Sequence, residues 1–324
     1  MSNIKKSRFI LGMPRGGTQA MMRALNSDSR VAAFGETMFW GRLWVAPDED
    51  GALDAEKIER IAHHFENNHL VPDKGDGAIT DDGLALGGHA AKAVRACTPG
   101  MNPGEVFERM AESVLEATGR TYWVEKTPHH LQHLDRILRF MPEARILVML
   151  RSPMEFLRSY KHQGDRKEQE LREKFHRMYH PALASLVGRG TYRAAVDATN
   201  KWPDQIMVVR LEELVENPEE LMPRIREHLD LPADAPAEYK QFNSSFEQNP
   251  NQPSDLSNTE KTWLHWVLGR QARALDYDLP KKRFAPIGML MSTLSLVPWT
   301  LRNWSSLSRH DSGGIRGMMR RWLR

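Results

Sequence analysis

A glycine-rich segment near the start of the chain contains the residues best suited to bind an anion. The apolar run Phe9–Leu11 leads into the sequence GMPRGGTQ at positions 12–19, and a helical pattern follows from Ala20. The backbone N–H groups of such a turn and of a helix start can converge on one anion, and glycines leave room for its approach. The segment therefore predicts a phosphate-binding loop formed by Arg15, Gly16, Gly17, Thr18 and Gln19.

The spacing of this loop matches that of nucleotide-binding P-loops, but its side chains differ from theirs. Thr18 stands where a P-loop has lysine, and Gln19 replaces the hydroxyl residue that would hold magnesium. An ordinary Mg-ATP site is therefore disfavoured, and Arg15 supplies the cation from within the loop. A nucleotide or nucleoside kinase with an altered P-loop is one alternative function, and an ordinary tight turn is the simplest structural alternative.

A second cluster of anion-binding residues follows a later strand pattern. The run ARILVML at positions 144–150 ends at Arg151, Ser152 and Pro153, and Ser159 comes eight residues after the arginine. A guanidinium forms bidentate, charge-assisted bonds to a phosphate, and a hydroxyl adds a further donor. Arg151 and Ser159 therefore form a candidate site for a second phosphate, although either residue alone is also compatible with a surface arginine or a helix serine.

Two polar segments could supply acid and base chemistry. Gly35-Glu36-Thr37 follows the first helical pattern, and Glu125-Lys126-Thr127-Pro128 precedes another. Thr127 at the N-cap with proline at the first helical position would fix Lys126 just outside a helix start, where an anion can bind. Considered alone, Glu36 is also compatible with a surface or helix-capping carboxylate.

These motifs occur in the order found in sulfotransferases that use 3′-phosphoadenosine 5′-phosphosulfate (PAPS), and the chain resembles that family from Arg8 to Asp278. The sequence PRGGT at 14–18 is similar to the family's 5′-phosphosulfate loop. Arg151-Ser152-Pro153 with Ser159 is similar to its 3′-phosphate site. The resemblance is closer to the carbohydrate, tyrosylprotein and bacterial branches than to the cytosolic small-molecule enzymes.

Three further segments carry the resemblance. Those at Gly35–Thr37 and Glu125–Pro128 are similar to the glutamate and lysine segments of the carbohydrate and tyrosylprotein branches. The sequence VVRLEEL at 208–214, which contains Arg210, is similar to the strand-to-helix segment near the adenine. Two positions depart from the family pattern: Gln19 replaces a small hydroxyl residue, and Leu211 replaces a common aromatic residue.

The resemblance implies in-line transfer of a sulfuryl group from PAPS to an acceptor hydroxyl. By analogy, Glu36 is the base, Lys126 contacts the leaving-group oxygen and Arg15 lies near the transferring group, while Arg210 belongs to the cofactor-binding set. The small-molecule branch has a base histidine where this chain has Pro128, so His129 is the reserve base. Acceptor identity is open, with a glycan or glycolipid among the candidates.

The histidines at 129, 130 and 133 could suggest a metal site, because positions 129 and 133 are one helical turn apart. Their alternation with leucines at 131, 134 and 138 favours an amphipathic helix with a polar face instead. The family's sulfuryl transfer also requires no metal. The sequence therefore predicts PAPS as the only co-substrate and no metal ion.

The elements that position these residues alternate between strand and helix patterns. Strands are expected at 9–12, 31–34, 122–124, 145–150 and 205–211, with helices near 55–66, 105–117, 131–140 and 219–229. This alternation predicts an α/β fold with a P-loop-like, mainly parallel sheet flanked by helices, and ligands at the carboxyl ends of the strands. The glycine- and aspartate-rich stretch 72–102 predicts a loop with little regular structure, and the highly charged stretch 163–175 an exposed helix.

The end of the chain differs in charge from the rest. Residues 281–324 contain nine Lys or Arg and one acid, Asp311, whereas residues 1–280 carry five more acidic than basic side chains. We expect a sulfotransferase domain at 1–280 and a helical C-terminal appendage at 281–324, which contains tryptophans and an apolar run. This appendage suits either an anionic membrane surface or packing against the domain.

Composition also limits the location and partners of the protein. Cys97 is the only cysteine, and the first strand pattern begins within ten residues of Met1, so we expect a cytoplasmic protein. Residues 281–324 are a candidate for peripheral contact with a membrane. The acidic body and the lack of a recognition motif argue against a nucleic-acid partner. A non-catalytic, membrane-associated protein with a nucleotide-binding fold is the remaining alternative.

Overall fold

The computed structural model describes residues 6–67, 83–165, 167–234, 256–279 and 285–309. Its described residues form a five-stranded parallel sheet with the strand order β2-β3-β1-β4-β5, and helices flank the sheet. The strands are β1 (Arg8–Gly12), β2 (Val31–Phe34), β3 (Tyr122–Lys126), β4 (Arg145–Leu150) and β5 (Ile206–Arg210). The predicted α/β fold is confirmed.

The central strands are buried because they are almost wholly apolar. Every residue of β1 and β2 is buried, as expected for a parallel sheet covered on both faces. Ile10, Val124 and Leu147 from three strands pack in one cluster with Met21 of the first helix and Ile225 of a later one. This core fixes the carboxyl ends of β1, β3 and β4, from which the candidate site is built.

The register of the sheet aligns these ends. Gly12 at the end of β1 lies opposite Met149 of β4, and Ile10 lies opposite Lys126 at the end of β3. Phe34 at the end of β2 pairs with Glu125. The segments that follow β1, β2 and β3 therefore begin from the same edge of the sheet.

The α-helices of the described chain are α1 (Thr18–Asn26), α2 (Ala55–Asn67), α3 (Gly83–Arg95), α4 (Pro103–Thr118), α5 (Leu134–Phe140), α6 (Pro153–Lys161), α7 (Gln169–Met178), α8 (Pro181–Lys201), α9 (Leu211–Glu216), α10 (Pro218–His228), α11 (Asn258–Arg273), α12 (Pro286–Leu294) and α13 (Leu296–Arg309). A 3-10 helix, Pro128–His133, precedes α5. The exposed helix expected around 163–175 is confirmed by α7, in which no residue is buried.

The expectation of an irregular loop over 72–102 is wrong for its second half, which forms helix α3. Leu86, Ala90 and Val94 are buried at four-residue spacing along this helix. A Cβ on Gly87 would stand 2.8 Å from the carbonyl oxygen of Phe65 in α2. Gly87 therefore permits close packing of the two helices, whereas the prediction treated glycine in this stretch as a sign of a loop. Residues 72–82 of that stretch lie outside the described residues.

The chain forms two compact units. One comprises the described residues of Met1–Met149 and Ala198–Gln241, and the other those of Leu150–Asp197 and Phe242–Arg324. The expected helical appendage is present as α12 and α13 within the second unit, while the domain boundary at residue 280 stays a prediction. No helix of the described segments is long and apolar enough to cross a membrane.

Candidate functional site

The loop after β1 rests directly on the end of β4. Gly12 has a φ of 132°, and a Cβ there would stand 2.1 Å from the carbonyl oxygen of Met149. That same oxygen accepts a hydrogen bond of 2.9 Å from the amide of Met13. Only glycine combines this backbone conformation with so close an approach, so Gly12 fixes the start of the loop on the sheet.

The tip of the loop has the backbone of an anion-binding turn. The amide of Gly16 donates to the carbonyl of Met13 at 2.9 Å, which closes a tight turn. Arg15 has a φ of 70° although it is not glycine, and its side chain is exposed. Turns that combine residues of positive and negative φ direct neighbouring N–H groups into a shared concavity, and a side chain held in this strained region often marks a ligand site.

Helix α1 begins immediately after this turn. Gly17, with a φ of 89°, occupies the N-cap and has no side chain to bond the first amides, and the first turn contains no acidic residue. Thr18 is buried, while Gln19 is half-buried. The predicted phosphate loop thus ends at a helix start whose partial positive charge favours an anion.

Leu211 packs against this loop from the end of β5. A Cβ on Gly17 would stand 2.6 Å from Cδ1 of Leu211, and the leucine is 7% exposed. The residue that replaces the family's aromatic side chain therefore contacts the loop. Its neighbour Arg210 forms an ion pair with Glu213.

The predicted base and cation lie together. Nζ of Lys126 is 2.7 Å from Oε1 of Glu36, with side chains 5% and 33% exposed, respectively. A Cβ on Gly35 would stand 2.1 Å from the carbonyl oxygen of Lys126, so the segment after β2 passes directly over the end of β3. The structure thus joins two candidates that are 90 residues apart in sequence.

A buried carboxylate holds these two segments in place. Glu125 is fully buried, and its Oε1 accepts hydrogen bonds from the hydroxyl of Thr37 at 2.9 Å, the amide of Thr37 at 3.3 Å and the hydroxyl of Thr127. Thr37 follows Glu36, and Thr127 follows Lys126 in sequence. Neighbouring residues in extended backbone point to opposite sides. Because Thr37 and Thr127 point inward to Glu125, their neighbours Glu36 and Lys126 point toward the candidate site.

His130 completes this buried network. Its Nδ1 lies 3.3 Å from Oε2 of Glu125, and its Nε2 is 3.3 Å from the amide of Trp40, which can only donate. This arrangement assigns the ring proton to Nδ1, facing the carboxylate. Complete burial by itself raises the pKa of Glu125, but the facing His130 ring and the hydrogen bonds from Thr127 and Thr37 outweigh it and lower the pKa below its usual value.

His130 and Thr127 therefore have roles that the sequence did not predict. The hydroxyl of Thr127, expected to cap a helix, makes no cap bond and donates to Glu125 instead. His130, expected on a polar helix face, is fully buried. No structural role was predicted for Glu125, Thr37 or His130. Glu125 directly follows the strand expected at 122–124 and lies within β3, where a buried carboxylate requires a polar partner.

The reserve base His129 reaches the surface, unlike His130. Partial loss of hydrating water lowers the pKa of His129 below its usual value, and the negative charge of Glu36 opposes this shift. Glu36 and His129 are therefore both candidate bases.

The second predicted phosphate site lies in the other compact unit. Arg151 follows β4 directly, is 13% exposed in its side chain and forms an ion pair of 3.3 Å with Glu155. Its carbonyl accepts a hydrogen bond from the hydroxyl of Tyr192. Ser152 caps α6 by accepting from the amide of Glu155 at 3.3 Å. Ser159 is fully buried in the same helix.

In the part of the chain that the structure describes, no group of three or more His, Cys, Asp or Glu side chains has an arrangement that could hold a metal ion. The prediction that the reaction uses no metal stays a prediction.

The sequence matches the model of one protein family. The sequence model of a family described as "Sulfotransferase family" matches residues 8–235, which include the loop, Glu36, Lys126, Arg151 and Arg210. No curated protein matches the sequence.

Several solved structures are similar to this chain. The sulfotransferase domain of the Synechococcus PCC 7002 olefin synthase is 16% identical, with a TM-score of 0.49 over 85% of this chain and 96% of that one. A Mycobacterium avium sulfotransferase is 16% identical, with a TM-score of 0.48 over 86% and 79%. A sulfotransferase from Alicyclobacillus acidocaldarius is 17% identical, with a TM-score of 0.47 over 85% and 97%.

Proposed function

Because this chain belongs to the sulfotransferase family, we propose that it transfers a sulfuryl group from PAPS to an acceptor hydroxyl with Glu36 as the base. The observation that carries this proposal is the pairing of Glu36 with Lys126 at 2.7 Å. In an in-line transfer, a carboxylate can accept the proton of the attacking hydroxyl, and a neighbouring ammonium can bind the oxygen of the leaving group. Glu36 is also partly exposed, so an acceptor can approach it.

The proposed step moves one proton and exchanges one bond. The acceptor oxygen attacks sulfur and forms a new S–O bond while its proton passes to Glu36. The bond between sulfur and the bridging phosphate oxygen breaks, and Lys126 donates a hydrogen bond to that oxygen as negative charge develops on it. A general base supplies about 10²- to 10⁴-fold and a donor at the developing charge about 10²- to 10³-fold in rate.

The donor is held, in this proposal, by the loop and the cationic side chains. The amides of residues 17–19 and the guanidinium of Arg15 bind the 5′-phosphosulfate. Arg151 and Ser159 bind the 3′-phosphate, and Arg210 belongs to the adenine end. The left-handed backbone of Arg15 and the open start of α1 support the first assignment. The remaining assignments rest on the family resemblance.

The kinase alternative has less support. Thr18 and Gln19 replace the lysine and the magnesium-binding hydroxyl residue of a P-loop, and the family match covers the whole loop. A non-catalytic role does not account for a carboxylate and an ammonium held together by a buried network. The acceptor class that we propose is a hydroxyl-bearing glycan or glycolipid.

The donor site can be tested by calorimetry without knowing the acceptor. The full chain is titrated with 3′-phosphoadenosine 5′-phosphate, the product of donor turnover, and separately with ATP and magnesium. Arg15→Ala and Arg151→Ala are compared with Arg172→Ala, a control at an exposed arginine of α7.

We expect the bisphosphate to bind more tightly than Mg-ATP. Loss of a charge-assisted contact should weaken binding roughly tenfold or more in Arg15→Ala and Arg151→Ala, and Arg172→Ala should bind like the wild type. Preference for Mg-ATP would favour the kinase alternative. Absence of binding to either nucleotide would contradict the proposed function.

A further inference from the structure

Helices α12 and α13 each expose large apolar side chains, which together are here called the apolar face. Between 59% and 77% of each side chain is exposed. The face consists of Ile287, Leu290, Met291, Leu294, Val297 and Leu301. Single exposed apolar residues are common, but six on two consecutive helices indicate an interaction surface.

The spacing of these residues places them on the same side of each helix. Ile287, Leu290, Met291 and Leu294 recur at intervals of three and four along α12, and Val297 and Leu301 are four apart on α13. Such intervals align side chains along one helical stripe. The apolar face is thus organised by helical periodicity.

The opposite side of the two helices already has partners within the second unit. Met289, Trp299 and Asn303 are buried there, and Oγ of Ser292 accepts a hydrogen bond of 3.0 Å from the indole of Trp263 in α11. A Cβ on Gly288 would stand 2.1 Å from Oγ1 of Thr259, so α12 lies tightly against α11. Packing within the unit therefore uses one side of the helix pair and leaves the apolar face outward.

The sequence segments before and after the apolar face both carry net positive charge. Residues 285–303 contain one charged side chain, Arg302, which is exposed. Three cations, at 281–283, precede this stretch, and residues 304–324 carry five arginines against the single acid Asp311. An apolar stripe flanked by cations matches a surface with an apolar interior and anionic groups facing the water.

The neighbouring helix α11 also exposes a tryptophan. Trp266 of α11 is 63% exposed, and its ring centroid lies 6.4 Å from that of Trp263, the residue bonded to α12. Tryptophan is enriched at the boundary between lipid and water because its ring is amphipathic. Trp266 therefore matches the same kind of partner as the apolar face.

We propose that the apolar face of α12 and α13 docks in the plane of an anionic lipid bilayer surface. A second copy of this chain is disfavoured as the occupant, because a symmetric contact would bring the two sets of flanking cations together. The bilayer instead offers acyl chains to the leucines and phosphate groups to the cations. The fourteen nearly uncharged residues at 286–299, interrupted by Pro298, are too few for a spanning helix but suit an interfacial one.

Co-flotation of the full chain with vesicles tests this proposal directly. Vesicles of phosphatidylcholine are compared with vesicles that contain phosphatidylcholine and phosphatidylglycerol in equal parts. The test protein is the triple variant Leu290→Gln, Leu294→Gln, Leu301→Gln. Leu171→Gln, at an exposed leucine of α7, is the matched control, and circular dichroism verifies the fold of each variant.

We expect binding to the phosphatidylglycerol vesicles, weaker binding to phosphatidylcholine alone, and a decrease as salt rises. The triple variant should bind about 100-fold more weakly or worse, given what burial of three leucines contributes, while Leu171→Gln should match the wild type. Neutralising Lys281, Lys282 and Arg283 to Gln should weaken binding to the phosphatidylglycerol vesicles more than binding to phosphatidylcholine alone.

Three results would overturn the proposal. The first is no flotation of the wild type with either vesicle. The second is equal flotation of the wild type and the triple variant. The third is a dimer in light scattering that the triple variant dissociates while vesicle binding is absent, which would assign the face to a second copy. None of these readouts depends on sulfuryl transfer.

Discussion

Gly35 lies so close to Lys126 that a Cβ on the glycine would stand 2.1 Å from the lysine's carbonyl oxygen. This contact brings the segment after β2 across the end of β3, where Glu36 meets the ammonium of Lys126. The backbone approach, rather than the ion pair, sets the position of Glu36. A partly exposed ion pair contributes little to stability by itself.

Gly35→Ala should therefore disturb both the fold and the reaction. Overpacking at this contact should lower the free energy of unfolding by about 2 kcal/mol, measured by chemical denaturation. Displacement of Glu36 by about 1 Å should lower kcat by roughly 10²-fold.

Gly88→Ala provides the control for this variant. Gly88 lies in α3, and a Cβ there would meet nothing within 4 Å. Alanine should raise the free energy of unfolding by up to about 1 kcal/mol and leave kcat unchanged. Equal activity of Gly35→Ala and wild type would contradict the positioning role of this contact.

The two candidate bases can be separated by substitution. Glu36→Gln keeps the shape of the side chain but removes its ability to accept a proton. We expect kcat for sulfuryl transfer from PAPS to fall by about 10²- to 10⁴-fold, while affinity for the donor product by calorimetry changes little. His129→Gln should change kcat only a few-fold.

The pH profile adds a second criterion. The lowered pKa of His129 means that it loses its proton at a lower pH than an ordinary histidine. A histidine base would therefore give an acid limb below the usual histidine pKa of about 6.5, and His129→Gln would remove it. Loss of that limb in His129→Gln, with Glu36→Gln active, would transfer the role of base to His129.

Glu125 should act as a positioning residue whose effect depends on pH. Glu125→Gln places an amide donor among hydrogen-bond donors, so the free energy of unfolding should fall by about 2 kcal/mol at neutral pH. kcat should fall as well, because Thr37 and Thr127 hold the neighbours Glu36 and Lys126.

The sign of this pH dependence follows from the lowered pKa of Glu125 in the folded state. Its stabilising contribution is complete above the unfolded pKa of about 4.3 and is lost as the pH falls through the lower folded value. The difference in unfolding free energy between wild type and Glu125→Gln should therefore shrink in acid. Glu116→Gln, at an exposed glutamate of α4, should show no such difference.

Leu211 should support the donor loop by packing. Leu211→Ala removes the side chain that lies against Gly17, so the loop should loosen and affinity for 3′-phosphoadenosine 5′-phosphate should fall about tenfold. The free energy of unfolding should fall by about 2–3 kcal/mol. Leu214→Ala, at a fully buried residue of the same helix, should lose comparable stability without the loss of affinity. Equal affinities in the two variants would show that Leu211 contributes only to the core.

Patterns of consecutive residues are enough to predict the elements and the order of the candidate motifs. Apolar runs such as 145–150 define strands because a parallel sheet is covered on both faces, and the turn at 12–17 needs glycine wherever its backbone approaches another strand. Both constraints are local, because they depend on residues that are consecutive in the sequence. For the same reason, Gly87 of α3 was wrongly taken as a loop signal, since it permits a close contact with Phe65 in another helix.

Which of these residues meet depends on the packing of the folded chain. Glu36 and Lys126 are 90 positions apart, and their pairing depends on the neighbouring places of β2 and β3 in the sheet. The buried roles of Glu125 and His130 also depend on this order, because a carboxylate can be buried only where donors from other segments converge on it. Sequence periodicity records which side of an element is apolar, but the partner of a polar side chain is fixed by packing between distant elements.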